Sequence, residues 1–428
     1  MEVWKRLDSQ NLAWKSFVSK ILDTYFTRIY LIKAFVIALS LSAFIYCEYF
    51  DVTYLGFNTF CAVLGFFLLL GENKIVWFWS GFFIGLLWFY WISFSFVYYD
   101  LAYLIPLIIL SVAIAYGFLF WLIGRFGKTL YFQPLLLFGI SFIEPFGFNW
   151  LKLEVVLLNT YFSSTHLQFA SFLIGIACLK GFKSYYKLFG VLFLFLAWMP
   201  FSMPARIMPE MIATEIPTMY IEQSKRWDKA YQQEAIELNF TLIERAIEKG
   251  EKLIIFPESA FPLYLNMDEM LLDILKNYSH RIAIVAGALT YENENFYNSS
   301  YLFTQGEMHI AHKVVLVPFG EEVPLPEFLT TWINRLFFDG AKDYLKAKEP
   351  KDFIIEGITF RNAICFEATK DLLYQGNPHQ MIAISNNAWF TPSTEQTLQY
   401  LLLRWYAKKY NTIIYHSANA GKSGIIYP

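Results

Sequence analysis

Charge is scarce in this chain. Of its 428 residues only 16% are charged, while 56% are hydrophobic and 20% aromatic, against about 25% charged in an ordinary soluble protein. The shortage points to lipid as a solvent for much of the chain. Nor is there an excess of one sign: a net charge of −2 offers nucleic acid no basic surface. No CxxC or HExxH pattern supplies a metal site, and there is no internal repeat or low-complexity linker. No small-residue cleavage site follows the first apolar stretch, so no removable signal peptide is read. Cysteine is limited to Cys47, Cys61, Cys178 and Cys365. Cys47 and Cys61 lie where a hairpin disulfide is conceivable, but packing in a bilayer suits them better. Cys365 has no partner within its part of the chain.

What is abundant is apolar sequence, all in the first half. About seven stretches approach the ~20 residues a bilayer crossing needs: Ile29–Cys47, Phe57–Leu70, Ile75–Tyr98, Tyr103–Ile123, Leu130–Ile143, Tyr161–Leu179 and Leu188–Phe201. The second and fifth are short. Within residues 1–28, Trp14, Phe17, Val18, Ile21, Leu22 and Tyr25 recur at helical spacing among lysines. That pattern suits a helix lying on the membrane, or equally a cytoplasmic amphipathic helix packed on the bundle.

Loop charge gives an expected orientation. Lys5, Arg6, Lys15, Lys20, Arg28 and Lys33 precede or open the first stretch, and alternate loops carry Lys74, then Arg125 and Lys128, then Lys180, Lys183 and Lys187. The intervening loops hold Glu48 and Asp51, Asp100, and Glu144, Lys152 and Glu154. Positive residues mark the cytoplasmic side, so residues 29–202 form a helical membrane domain and everything after it lies outside, in the periplasm of a bacterium.

From residue 203 to 428 the pattern changes to short apolar runs ending in turns: KLIIFPES, RIAIVAGAL, SSYLFT, HKVVLVPFG, ITFRNAICFE, MIAISNNAWF and NTIIYHSANAG. These read as buried strands. DKAYQQEAIELNFTLIERAIEKG reads as an amphipathic helix closed by Gly250, and a second helix covers Thr394 to Tyr410. The expectation is an α/β domain of ordinary size.

Cys365 ends one such run, and a lone thiol in an oxidising compartment is either a small core residue or a nucleophile. A nucleophilic thiol needs a group to take its proton. His280, His309, His312, His379 and His416 are available, but none stands in a Cys/His signature. Glu258, ending LIIFPES, and Lys313, opening HKVVLVPFG, are ionisable groups at the edges of strands. A desolvated carboxylate becomes a competent base, and an ammonium stabilises a thiolate and an oxyanion. Taken singly, either is more simply a solvated strand-end charge.

Together, and in that order, Glu258, Lys313 and Cys365 resemble the Glu-Lys-Cys triad of the nitrilase (carbon–nitrogen hydrolase) superfamily. FPES, HKVVLVPFGEEVPLP, AICFE, SNNAWF, EQSKRWD, YNSSYLF, SANAGKSGII and EPFGFNW resemble its membrane branch, the apolipoprotein N-acyltransferases. The resemblance implies a multi-span helical membrane domain followed by an αββα nitrilase-like domain. It implies Cys365 as nucleophile, Glu258 as general base and Lys313 as stabiliser of thiolate and oxyanion. It also implies Glu321 orienting the lysine, Glu367 as an acidic neighbour of the nucleophile, and Phe366 as an oxyanion donor through its N–H. Trp227, Tyr297, Asn298, Trp389 and Phe390 would line a pocket or lid, though aromatics are common enough here to be structural.

The implied reaction moves an acyl chain from a phospholipid, through a cysteine thioester, to the α-amine of a lipoprotein's diacylglyceryl-cysteine. It needs no metal or nucleotide and no nucleic acid, and both partners are anchored in the membrane. The family often has Tyr where Phe366 stands and Asp where Asn387 stands, and it continues with further strands and a last span beyond the point where this chain ends. Two other readings share features: a membrane-tethered amidase using water, which leaves so many spans unexplained, and a non-catalytic scaffold, for which Cys365 would be dispensable.

Overall fold

The computed structural model describes residues 25–198, 210–226, 228–318, 320–322 and 344–428, with the side chain of Phe146 excepted. The N-terminal amphipathic pattern and Trp227 fall outside the described residues.

The chain forms two compact units, and they interleave in sequence. The first takes Met1–Tyr90, Pro106–Ile140 and Val156–Phe201; the second takes Trp91–Ile105, Ser141–Val155 and Ser202–Pro428. A single boundary near residue 203 was expected from the change of composition there. Two short segments from the apolar half fold instead with the second unit.

The first unit is helical: Arg28–Tyr49, Leu55–Leu69, Lys74–Phe89, most of Ile105–Phe126, Gln133–Ile140, His166–Gly181 and Lys187–Leu196. Runs this apolar on every face belong in lipid. Along Arg28–Tyr49, Ile32, Phe35 and Leu39 stay exposed while Ala34, Ile37, Ala38 and Leu41 are buried. Among the described residues, three helical stretches, Arg28–Tyr49, Lys74–Tyr99 and Ala102–Phe126, are long and apolar enough to cross a membrane. Small residues let the helices close up: a Cβ on Gly81 would stand 2.5 Å from Tyr116 O and from Phe120 Cβ. Asn73 caps its helix by accepting from the N–H groups of Ile75 and Val76, which satisfies two donors that a helix start leaves open. All four cysteines are free thiols.

The second unit is built on two sheets. In the first, β1 (Thr214–Glu215), β2 (Leu253–Ile255) and β4 (Ala283–Glu292) run parallel; β5 (Asn295–Thr304) and β6 (Glu307–His312) continue it antiparallel, and β3 (Phe261–Tyr264) also pairs with β4. In the second, β8 (Ile358–Ile364), β9 (Gln380–Asn386) and β10 (Ile413–Asn419) are parallel, flanked antiparallel by β7 (Asp352–Ile355) and β11 (Gly424–Ile426).

Side chains alternate across each strand, and the alternation sorts them into layers. Leu253, Ile255, Ala283 and Val285 pack with Ile364, Ile382, Ile384 and Ile413 of the other sheet. The intervening Ile254, Ile284 and Ala286 face Ile243, Ala246, Leu271 and Leu275 of the Lys229–Glu248 and Glu269–Tyr278 helices. The Glu395–Tyr410 helix adjoins β10 and β11 of the second sheet. The order of layers is helix, sheet, sheet, helix.

One expected strand is absent. HKVVLVPFG does not extend a sheet: β6 ends at His312, and Lys313 begins a looped stretch. The cause is local. The N–H groups of Val314 and Val315 donate to the buried Glu367 carboxylate, at 2.8 and 3.0 Å, so they are not free to join a ladder.

Candidate active site

The cluster stands where strands of the two sheets end. Parallel β2 runs through Phe256, whose N–H donates to Val285 O, into a turn in which Ser259 has φ +62°. The turn carries Glu258 back into the interior, where it is 6% exposed. A glycine makes room: a Cβ on Gly287 would stand 2.5 Å from Glu258 Cα, 2.7 Å from Ser259 N and 2.9 Å from Pro257 O.

Lys313 follows β6 directly, its N–H held by Asn298 O, and its side chain is fully buried. Its ammonium donates to both oxygens of Glu321, 2.9 Å from Oε1 and 2.7 Å from Oε2. Glu321 is held in turn by the N–H of Val317 on Oε2. Asn298 ties the group together: its Nδ2 donates to Glu258 Oε1 at 2.6 Å and to Glu321 Oε1 at 3.0 Å.

Cys365 sits immediately after β8 with φ +56°, a left-handed conformation that is costly for a residue with a Cβ. The short helical turn Cys365–Thr369 follows. Glu367 holds that turn: Oε1 accepts from Ile364 N at 2.7 Å, while Oε2 takes the N–H groups of Val314 and Val315. One carboxylate therefore fixes both the Cys365 turn and the loop that follows Lys313. Phe366 is 2% exposed. It stacks on Phe148 at 6.0 Å and 2° and packs beside Trp150, with the Lys370 ammonium over its ring.

The titratable groups are poised against one another. Burial raises the Glu258 carboxyl, and the Lys313 charge only partly restrains it. Burial works to lower Lys313, but the charges of Glu321, Glu258 and Cys365 outweigh it and hold the ammonium protonated. The Cys365 thiol is pushed well above its ordinary value by burial first and by Glu258 next, with Lys313 opposing. Glu367 is raised to about 7 by burial, against Lys313 and its backbone donors. A thiol that rests protonated beside a carboxyl of raised pKa and a fixed cation is an arrangement for concerted deprotonation and nucleophilic attack.

The pocket residues divide. Asn298 joins the carboxylate cluster. Tyr297, its neighbour on β5, points to the opposite face, as strand alternation requires, and stacks on His312 at 4.3 Å. Trp389 packs against Tyr98 and Tyr99, and Phe390 against Trp91; all three partners lie in the Trp91–Ile105 segment of the same unit.

Three further groups escaped the sequence reading. Arg226 is buried, and the charges of Glu258 and Glu321 both act on it. Gln399, on the Glu395–Tyr410 helix, is fully buried with Nε2 3.8 Å from Cys365 Sγ. Glu395, one helical turn before it, is 2% exposed and raised to about 8 by burial. EQSKRWD was noticed only as a motif. The four-residue spacing of Glu395 and Gln399 marks one helix face, but not that the face is buried.

Comparison with known proteins places the chain. A family model described as the apolipoprotein N-acyltransferase integral membrane domain matches residues 28–200. The apolipoprotein N-acyltransferase of Wolinella succinogenes is 42% identical over 392 residues, covering 91% of this chain and 94% of that protein. The apolipoprotein N-acyltransferase of Campylobacter jejuni is 36% identical over 430 residues, covering 97% and 94%. Among solved structures, a CN-hydrolase superfamily protein from Xanthomonas campestris aligns over 51% of this chain and 80% of its own, with a TM-score of 0.37 and 15% identity. With 42% identity maintained along nearly the whole of both sequences, and a membrane-domain model matching the helical half, the chain belongs to the apolipoprotein N-acyltransferase family.

Proposed function

We propose that this integral membrane acyltransferase moves an acyl chain from a phospholipid to the α-amine of a lipoprotein's N-terminal diacylglyceryl-cysteine, with Glu258, Lys313 and Cys365 as its triad. The reading rests above all on the partly buried chain of hydrogen bonds Glu258–Asn298–Glu321–Lys313, whose charges act on a thiol held in a left-handed turn. Family membership supports the reaction class.

In the first half-reaction Glu258 takes the Cys365 proton, and the thiolate attacks the phospholipid ester carbonyl. Negative charge develops on the carbonyl oxygen. Lys313 meets it with a point charge that Glu321 keeps fixed, and the N–H of Phe366 donates to the same oxygen. Collapse breaks the C–O bond, the departing glycerol oxygen takes the proton from Glu258, and a thioester remains. In the second half the lipoprotein amine attacks the thioester. Glu258 accepts a proton from the amine, the C–S bond breaks, and the thiolate is reprotonated as the amide forms. Exclusion of water favours the amine over hydrolysis. Orientation follows from loop charge: the catalytic unit faces the periplasm from the bacterial inner membrane, where the lipid-anchored substrates meet it, with about seven spans in residues 29–202.

Phospholipid alone should load Cys365 with one acyl chain and release lysophospholipid, as two-step covalent catalysis requires. Hydroxylamine should strip the label, and a diacylated lipopeptide with a free α-amine should discharge it, whereas an amine-blocked peptide should not. Release of lysophospholipid only when peptide is present would replace the thioester with direct transfer. Full activity in Cys365→Ala would dismiss the triad.

A further inference from the structure

We infer that Gln399 is a further catalytic residue, its side-chain amide donating a hydrogen bond to the Cys365 sulfur, with Asn387 and Glu395 as positioning residues that decide which end of the amide the sulfur meets. The inference rests on the reading of Cys365 as nucleophile.

The two ends of a glutamine amide have nearly the same shape, so only their bonding partners choose between them. Gln399 Oε1 accepts from Asn387 Nδ2 at 2.9 Å. With the oxygen so engaged, Nε2 is the end left toward Cys365 Sγ, at 3.8 Å, within reach of an N–H to sulfur contact. Asn387 faces the same choice, and Glu395 makes it: the second Nδ2 proton of Asn387 goes to Glu395 Oε2 at 2.7 Å. With Glu395 ionised, turning Asn387 over would set its oxygen against two acceptors. All three side chains are buried, at 2% exposure or less.

The arrangement is not what stability alone would select. Asn387 Oδ1 is buried without a hydrogen-bond partner, and such a group costs stability that an apolar side chain of the same size avoids. What the site gains is a donor with a defined direction. A neutral thiol accepts hydrogen bonds weakly and a thiolate accepts them well, so the bond strengthens as the proton leaves for Glu258. It strengthens again as the thioester breaks and sulfur departs. Interactions that grow along the reaction are the ones that accelerate it. The charges acting on this sulfur are Glu258, Glu395 and Glu321, which disfavour the thiolate, and Lys313, which favours it. A neutral amide adds stabilisation without altering that balance of charge.

The test is alkylation of Cys365 by iodoacetamide across pH, in the full-length protein in detergent, followed on the Cys365 peptide by mass spectrometry so that the other three thiols do not interfere. Gln399→Leu should move the thiolate midpoint up by about one pH unit, a tenfold loss of alkylation rate below the midpoint. Gln399→Met, of similar length and without a donor, should do the same if the leucine variant folds poorly. Asn387→Leu should shift the midpoint in the same direction, and combining it with Gln399→Leu should add nothing further, the mark of two residues acting through one contact. Glu395→Leu should move the midpoint up by less than Asn387→Leu, because it also removes a charge that disfavours the thiolate. Glu395→Gln keeps an oxygen for Asn387 and should restore the midpoint to the unsubstituted value or below it. An unchanged profile in a folded Gln399→Met protein would overturn the inference while leaving the nucleophile in place. Acyl transfer surviving in Cys365→Ala would instead remove the nucleophile, whatever the alkylation profiles show.

Discussion

Replacing Gly287 by alanine adds one methyl group at a point where nothing can yield cheaply. The added Cβ would lie 2.5 Å from Glu258 Cα, 2.7 Å from Ser259 N and 2.9 Å from Pro257 O. All three are backbone atoms, and ordinary contact begins near 3.4 Å. Relief requires the Glu258 turn to retreat by about 1 Å from β4, or β4 to bow away from it. Gly287 is not among the residues with positive φ, so alanine meets no conformational penalty and the effect is steric alone. Overpacking of this kind costs about 1–3 kcal/mol, and a 1 Å misplacement of a reacting group costs roughly 10²-fold in rate. Glu258 Oε1 sits 2.6 Å from Asn298 Nδ2, a contact that a 1 Å retreat would break. Gly287→Ala should therefore melt several degrees lower and load acyl chain from phospholipid roughly 100-fold more slowly. Gly56→Ala, whose Cβ would meet nothing within 4 Å, serves as the control. Thermal melting and the single-turnover rate of lysophospholipid release together decide it. Wild-type loading in Gly287→Ala would mean that the Glu258 turn tolerates displacement, and the role given to its geometry would be wrong.

Lys313→Met should fold yet lose at least 10²-fold in acyl loading, and Lys313→Arg should not rescue it, because a planar guanidinium cannot reproduce the point ammonium held on Glu321; near-normal turnover in Lys313→Met would take the lysine out of the mechanism. Glu395 titrates near 8 in the fold against an ordinary 4.5, so the fold favours its protonated form. The stability this contributes is full below about pH 4.5, is lost as pH climbs, and is gone above about pH 8. The melting temperature of the unsubstituted protein should thus fall relative to Glu395→Gln over that interval, and parallel curves would show that Glu395 does not titrate there. Protease applied to intact spheroplasts should cut within residues 203–428; protection until lysis would reverse the orientation drawn from loop charge.

The proposed triad was legible because each member sits at an edge of an apolar run, and strand ends are where local sequence reports position well. Singly, Glu258 and Lys313 looked like solvated strand-end charges; their order with Cys365 and the motifs around them singled them out. HKVVLVPFG misled for a reason no local window contains: the groups that would pair it into a sheet are taken by Glu367, more than fifty residues later. Tyr297 and Asn298 looked equivalent as pocket residues, and only the register of β5 against β4 and β6 separates them. Gln399 and Glu395 gave no local sign of their place, since burial of a helix face is a tertiary property. Apolar length marked the helices of the first unit, but composition could not show that Trp91–Ile105 and Ser141–Val155 fold with the second.

Those two segments bear on how such a protein can be taken apart. Asn149 Nδ2 donates to Thr369 O and to Tyr406 Oη, Trp150 Nε1 donates to Thr369 Oγ1, and Lys370 pairs with Glu144. Tyr98 Oη donates to Ala388 O. A fragment starting after residue 203 would leave Thr369 and Phe366 without the neighbours that cover them, and the Cys365 turn would lose one wall. No single cut in the gene separates the chemistry from the helices, so a soluble version would need both segments grafted back as linkers. Inheritance faces the same constraint: recombination that exchanged one half of this chain for another lineage's would also have to exchange, at two internal sites, the short stretches that finish the other half.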